Sequence, residues 1–191
     1  VGTLFDSTTF VHISASATLD LNNNNEDFGG PLGEGNVLTG NSAATGVAYT
    51  STNPPEDALA TFNGKIMGAG YLDSRSNHKV ALGGQSSFAG KTTIQTGGFV
   101  VTANVMPGVD GPLGNPAAGS DRTIVLGTSG ANALPSSLEI GAAGVEIGRD
   151  IRVNPGTASS IGSTHTTGSS TYSGAIGLSK MLYVTAAGAS T

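Results

Sequence analysis

Two stretches, "TFNGKIMGAGYL" (61–72) and "TYSGAIGLSKML" (171–182), decide how this chain is read. Laid one on the other, Thr61, Gly64, Ile66 and Leu72 recur as Thr171, Gly174, Ile176 and Leu182, and Phe62 becomes Tyr172. Between them the opening appears once more, as Ser87-Phe88-Ala89-Gly90. Repetition of short apolar segments broken by glycine is the mark of a repeat architecture.

The surrounding sequence reads as strands between turns. In "VHISASATLDL", Val11, Ile13, Ala15, Ala17, Leu19 and Leu21 fall on one side of a period-two alternation, predicting one strand or two joined by a bend. Further strands are expected at 46–50, 58–66, 78–82, 92–96, 98–103, 122–127, 136–141, 145–153, 170–177 and 181–186. Longer turns are expected at 22–35 and 105–121. No window of a dozen residues carries a helical pattern free of Gly, Pro or β-branched runs.

Composition narrows the class. Charged residues are 11% of the 191, against roughly 25% in ordinary globular chains. Thirty glycines and eight prolines punctuate runs of Val, Ile and Thr, a pattern of strands rather than of a charged disordered chain. The net charge of −5 has no basic patch for a nucleic-acid partner. Absence of cysteine removes disulfides and thiolate metal sites. No apolar run approaches the roughly 20 residues of a membrane-spanning helix. Val1 is not an initiator methionine and no signal-peptide pattern follows, so the chain reads as a processed product or an excised segment.

Short strands in irregular repeats point to an all-β chain, a right-handed parallel β-helix in which each coil stacks on the last. At roughly 20 to 25 residues per coil, eight or nine coils would make a rod on the order of 40 Å long. A β-sandwich is the alternative. The expected interior comprises Val11, Ile13, Leu19, Leu21, Phe62, Ile66, Leu72, Val80, Leu82, Phe88 and Ile94. It continues through Val100, Ile124, Leu126, Leu138, Ile140, Ile147, Ile151, Val153, Tyr172, Ile176 and Leu182.

Phe62 to Leu72 and then Leu82, Gly84, Phe88, Gly90, Thr92 or Thr93, Ile94, Gly97 or Gly98 and Phe99 resemble the autotransporter-associated β-strand repeat. "GPLGNPAAGSDRTIVLG", "LEIGAAGVEIGRDIRV" and "STYSGAIG" look like its linking and following coils, so the resemblance covers nearly the whole chain. It implies a right-handed parallel β-helix in large extracellular or cell-surface bacterial proteins, and no enzymatic activity.

Each chemical motif has a plainer reading. Gly90-Lys91-Thr92 hints at a phosphate loop, but its first glycine would be residue 85, which is Gln85. "FNGK" repeats "FAGK", the third copy replaces the lysine by Ala175, and no helix is expected to follow. His12, His78 and His165 lack partners at metal-ligand spacing and read as solvated surface residues. Glu26-Asp27, beside Asn22–Asn25, and Glu56-Asp57 offer oxygen ligands for a hard cation without any calcium-loop spacing. They read as solvated loop charge, the asparagines as turn residues tolerating left-handed backbone. Glu139 and Glu146, with Arg149 and Arg152, form either an outward charged patch, as a polysaccharide-cleaving enzyme would need, or cross-strand ion pairs.

The expectation is therefore one β-solenoid segment over residues 1–191, non-catalytic, with no catalytic, cofactor-binding or metal-ligating residue and no cofactor. Its start resembles the close of a repeat and it stops where a next coil would begin. Coils are expected to continue beyond both ends, in a longer chain or by head-to-tail self-association into a homo-oligomer or filament. A module binding surface glycans is the competing reading, and a polysaccharide-cleaving enzyme a lesser one.

Overall fold

The computed structural model describes residues 5–6, 8–50, 59–118, 121–129, 134–156 and 158–187. Among them are twenty strands and no helix. The first coil runs through β1 (Phe10–Ile13), β2 (Thr18–Asp20) and β3 (Glu26–Phe28), the second through β4 (Gly30–Gly33), β5 (Asn36–Leu38) and β6 (Gly46–Tyr49). The third has β7 (Ala60–Phe62), β8 (Ile66–Met67) and β9 (Tyr71–Ser74). Two coils lack a middle strand: β10 (Lys79–Leu82) with β11 (Thr92–Ile94), and β12 (Gly97–Val101) with β13 (Ile124–Leu126). Then come β14 (Ser136–Ile140), β15 (Glu146–Ile147) and β16 (Ile151–Val153), and β17 (Ser159–Ser163), β18 (Thr171–Tyr172) and β19 (Ile176–Leu178). β20 (Leu182–Ala186) opens an eighth coil.

Each coil visits three faces. The first face stacks β1-β4-β7-β10-β12-β14-β17-β20, and the third stacks β3-β6-β9-β11-β13-β16-β19. The second is broken into β2-β5-β8 and β15-β18. Every ladder between these strands is parallel. The chain is a parallel β-helix, and the sandwich alternative, which needs antiparallel sheets, falls.

Register stacks interior residues in columns. Phe62, Leu82, Val101 and Ile140 form one on the first face. Phe28, Tyr49, Ser74, Ile94, Leu126 and Val153 form one on the third. Most of the expected interior is buried. Val11, Leu19, Tyr172, Ile176 and Leu182 are only partly so, and all five lie in the first coil or from β18 onward, where stacking is one-sided. Ala15 and Ala17 are exposed because a turn, with Ala17 N–H donating to Ser14 O at 2.8 Å, separates β1 from β2. Val100 is buried, but on the outer side of the first face, in register with Ala81 and Glu139.

The recurring aromatic-x-glycine marks corners. A Cβ on Gly64 would lie 1.7 Å from Gly35 O, and one on Gly84 1.7 Å from Gly64 O, so this corner column admits only glycine. The corner before the third face repeats the device, with Gly90 over Gly70 O at 2.3 Å and Gly174 over Arg149 O at 2.2 Å. Phe62 and Gly64 thus flank the corner leaving the first face, whereas Phe88-Gly90 and Tyr172-Gly174 flank the corner entering the third. The matching stretches 61–72 and 171–182 are therefore rotated by one face: Ile66 lies on the second and Ile176 on the third.

Coil number and loops differ from the sequence expectation. Among the described residues there are seven coils and one further strand, because Gly33 pairs with Phe62 and Gly97 with Ser136 across long connections. Residues 22–35 are no long turn, since they contain β3 and β4. Residues 105–118, the described part of the other expected turn, do form a loop, and it folds inward. Ser86 and Gly111 exchange backbone hydrogen bonds of 3.2 and 3.1 Å, Asn115 N–H donates to Phe88 O, and Leu113 is fully buried. The loop fills the second face where strands are missing.

Phe88 is fully buried while the Lys91 side chain is 63% exposed. Phe88→Ala is expected to cost about 3–5 kcal/mol and Lys91→Ala under about 0.5 kcal/mol in urea denaturation. Gly84→Ala, placed against a backbone carbonyl, should lower stability by more than about 1 kcal/mol relative to the exposed Ser87→Ala control.

Candidate functional site

The motifs singled out from sequence scatter. Lys91 precedes strand β11 rather than a helix, and Thr92 points inward, its hydroxyl donating to Leu113 O at 2.9 Å. A phosphate loop has no place there. His12 is on β1, His78 sits before β10 and His165 follows β17. His78 and His165 are only partly exposed, and burial lowers the His78 pKa. Asn22 and Asn23 take the left-handed backbone expected of them, with φ of 46° and 62°. Glu26, expected in solvent, is instead buried on β3, because it occupies an interior column with Val47 and Leu72. Glu56 and Asp57 lie outside the described residues. No group of three or more metal-ligating His, Asp or Glu occurs among the described residues.

Of the two readings of Glu139, Glu146, Arg149 and Arg152, the outward charged patch is not formed, and one cross-strand ion pair is. Glu139 is on the first face, 6% exposed, and pairs with Lys79 Nζ at 2.6 Å across β12. Glu146 is on the second face and accepts a hydrogen bond from the Ser173 hydroxyl. Arg149 is buried, its Nε donating to Arg122 O at 2.8 Å and Nη1 to Leu113 O at 2.5 Å. Burial, and then the neighbouring Arg122 charge, lower its pKa to about 10. Only Arg152 stands exposed, on the third face. Neighbours in sequence across a corner look in different directions.

Polar chemistry does gather on the outside of the third face. Along β9, Tyr71 and Asp73 alternate outward, and Arg75 continues the alternation past its end. Asp27, Asp73, Thr93 and Arg152 share one outward row. Arg75 Nε donates to Asp73 Oδ2 at 2.7 Å and its Nη1 lies 3.4 Å from Asp27. Gln95 Nε2 donates to the same Asp73 oxygen at 2.6 Å. Lys91 Nζ stands 3.7 Å from Asp121 Oδ2. Tyr71, Asp73, Arg75, Lys91, Thr93 and Asp121 line a groove of about 530 Å³.

Asp73 is the unusual member. It is 4% exposed, and Oδ1 has no hydrogen-bond partner. Burial raises its pKa, opposed by the hydrogen bond and charge of Arg75 and by Gln95. The Tyr71 hydroxyl is likewise raised by burial and donates to Asn25 Oδ1 at 3.4 Å. Sequence reasoning missed this cluster, though the outward alternation Tyr71, Asp73, Arg75 was there to read. Oδ1 is closed off from solvent, and Oδ2 is held by Arg75 and Gln95, so the carboxylate ties the network together.

Comparison with known proteins finds no matching family model, curated protein or solved structure.

A raised folded-state pKa means that Asp73 favours folding while protonated and loses that contribution as pH rises through the folded value. Wild type should therefore lose stability relative to Asp73→Asn as pH goes from about 4 to about 7. Parallel urea titrations of the two proteins check the sign. An opposite slope would mean that the Arg75 and Gln95 bonds outweigh burial.

Proposed function

We propose that this chain is a non-catalytic structural segment of an extracellular or cell-surface bacterial fibre, filament or autotransporter-like passenger. Its coils are continued by further coils or by a second copy stacked end to end. The observation that carries the reading is the face presented by the last described coil. Val184 stands in the interior column of Leu138 and Ile161, and Leu178 in that of Leu126 and Val153. Yet Val184 is 78% and Leu178 59% exposed, against 3% for Ile161 and 0% for Val153. Met181 and Tyr183, 64% and 51% exposed, widen the apolar surface beside them.

Two kinds of valence are open on that face. Among the described residues, the interior side chains there lack the next layer that covers them elsewhere, and β19 and β20 have no strand on their outer side. Parallel edges of this kind pair readily, and a head-to-tail contact between unlike ends gives a filament rather than a closed dimer. At the opposite end the Phe5 ring packs 5.6 Å from Phe28, so the two ends are not alike. The resemblance to the passenger repeat supports the extracellular, bacterial part of the reading.

Sedimentation and electron microscopy of the purified chain test the stacking version. Rods or concentration-dependent oligomers are expected, and Val184→Asp, placing charge in the open column, should abolish them. A monodisperse monomer at high concentration would leave only continuation within a longer chain.

A further inference from the structure

The register of the first face never slips. One interior column runs from Ile13 on β1 through Gly33, Phe62 and Val101 to Ser163 and Ala186 on β20. Val11 and Val184 hold the equivalent interior place two residues earlier on the same two strands, and His12 and Thr185 are the outward residues between. Laid on β1 of another copy in this register, β20 would set Val184 on Val11 inside the stack and Tyr183 beside Phe10 outside it. Aliphatic thus meets aliphatic and aromatic meets aromatic. Neither strand carries an acidic, lysine or arginine side chain, so no like charges oppose each other across the ladder.

The two ends also have complementary steps. Beyond its last full coil the described stack carries only a first-face strand, β20. Beyond its first coil it carries third-face cover. Gly29 N–H donates to Thr9 O at 2.7 Å, so the segment entering β1 runs beside the one entering β4. That places the Phe5 ring against Phe28, at the head of the column that Leu178 closes. Head to tail, β20 of one copy and Phe5 of the next would supply the first and third faces of one joint coil, with Leu178 lying against Phe5. Neither step occupies the other's place.

We propose that copies of this chain stack head to tail in the register of their own coils, β20 pairing in parallel with the next copy's β1, so that Thr185 meets His12 and Ala186 meets Ile13. This rests on the stacking version of the proposed function and adds to it the register and the residues in contact.

Disulfide trapping tests the register, since the chain has no cysteine of its own. Paired strands lie about 4.8 Å apart, within the roughly 4.4–6.8 Å between α-carbons that a disulfide spans, whereas a shift of two residues puts the partners about 8 Å apart. His12 and Thr185 are both exposed. Chains carrying His12→Cys and chains carrying Thr185→Cys, mixed with oxidised glutathione, should give a cross-linked dimer that reduction abolishes. His12→Cys with Tyr183→Cys, two residues out of register, should give none. Adding Val184→Asp, at an exposed position, to the Thr185→Cys chain should abolish the cross-link without altering its fold. Sedimentation of the unaltered chain is run alongside. Oligomers that fail to link His12→Cys to Thr185→Cys, or that link His12→Cys to Tyr183→Cys instead, overturn the register and leave stacking in place. Oligomers in which Thr185→Cys chains link only to one another are joined tail to tail, which overturns the head-to-tail arrangement itself. A monomer that forms no cross-link overturns the register and the stacking version together.

Discussion

Parallel stacking of one coil directly on another is the constraint from which the rest of this structure follows. At a corner the backbone carbonyl of one coil points at the α-carbon of the next, and the column formed by Gly35, Gly64 and Gly84 leaves no room for a side chain. Glycine is therefore required at a fixed place in the coil, and at Phe62, Phe88 and Tyr172 an aromatic two residues before it packs just ahead of the turn. The same geometry explains the low charge. Alternate residues of every strand look into a narrow interior where unpaired charge is disfavoured.

Several polar residues enter the interior tied to a backbone group or to one another. The Ser74 hydroxyl donates to Thr96 O at 2.9 Å, that of Thr92 to Leu113 O, and the hydroxyls of Ser136 and Ser159 pair at 2.9 Å. Arg149 is the extreme case, the largest fully buried side chain, held by carbonyls rather than by a carboxylate. Both carbonyls belong to the long connection between β12 and β13 or its close. Arg149 and Thr92 share Leu113 O as acceptor, so the loop, the fourth coil and the sixth coil are joined at one oxygen. The loop that interrupts the repeat is thereby made part of the core.

The class of fold and most of its interior were legible because period-two alternation and glycine spacing are local consequences of stacking. Strands such as β4 and β17, "GPLG" and "SSIGS", were not legible, since their strand character comes from neighbours above and below rather than from β-branched side chains. Glu26, read as solvated loop charge, is put in an interior column by the register, and Arg149, read as outward on a strand, is drawn in by the carbonyls of Arg122 and Leu113. The match of 61–72 with 171–182 was real, but the unit that repeats is one face with its corner. Nothing in one copy says which of the three faces it occupies.

That distinction also explains where a binding surface can arise on such a fold. A residue outward on one strand gains neighbours from coils above and below, spaced about 4.8 Å apart along the axis. Asp27, Asp73 and Gln95, far apart in sequence, become one network, Arg75 joining the two carboxylates and Gln95 donating to Asp73, only because their coils lie in register. Sites of this kind leave no motif, since their members are scattered at the irregular spacings that the loops impose. The interior columns that drive one coil onto the next thus also fix the spacing of the side chains that line the groove, and a substitution inside the stack can displace them.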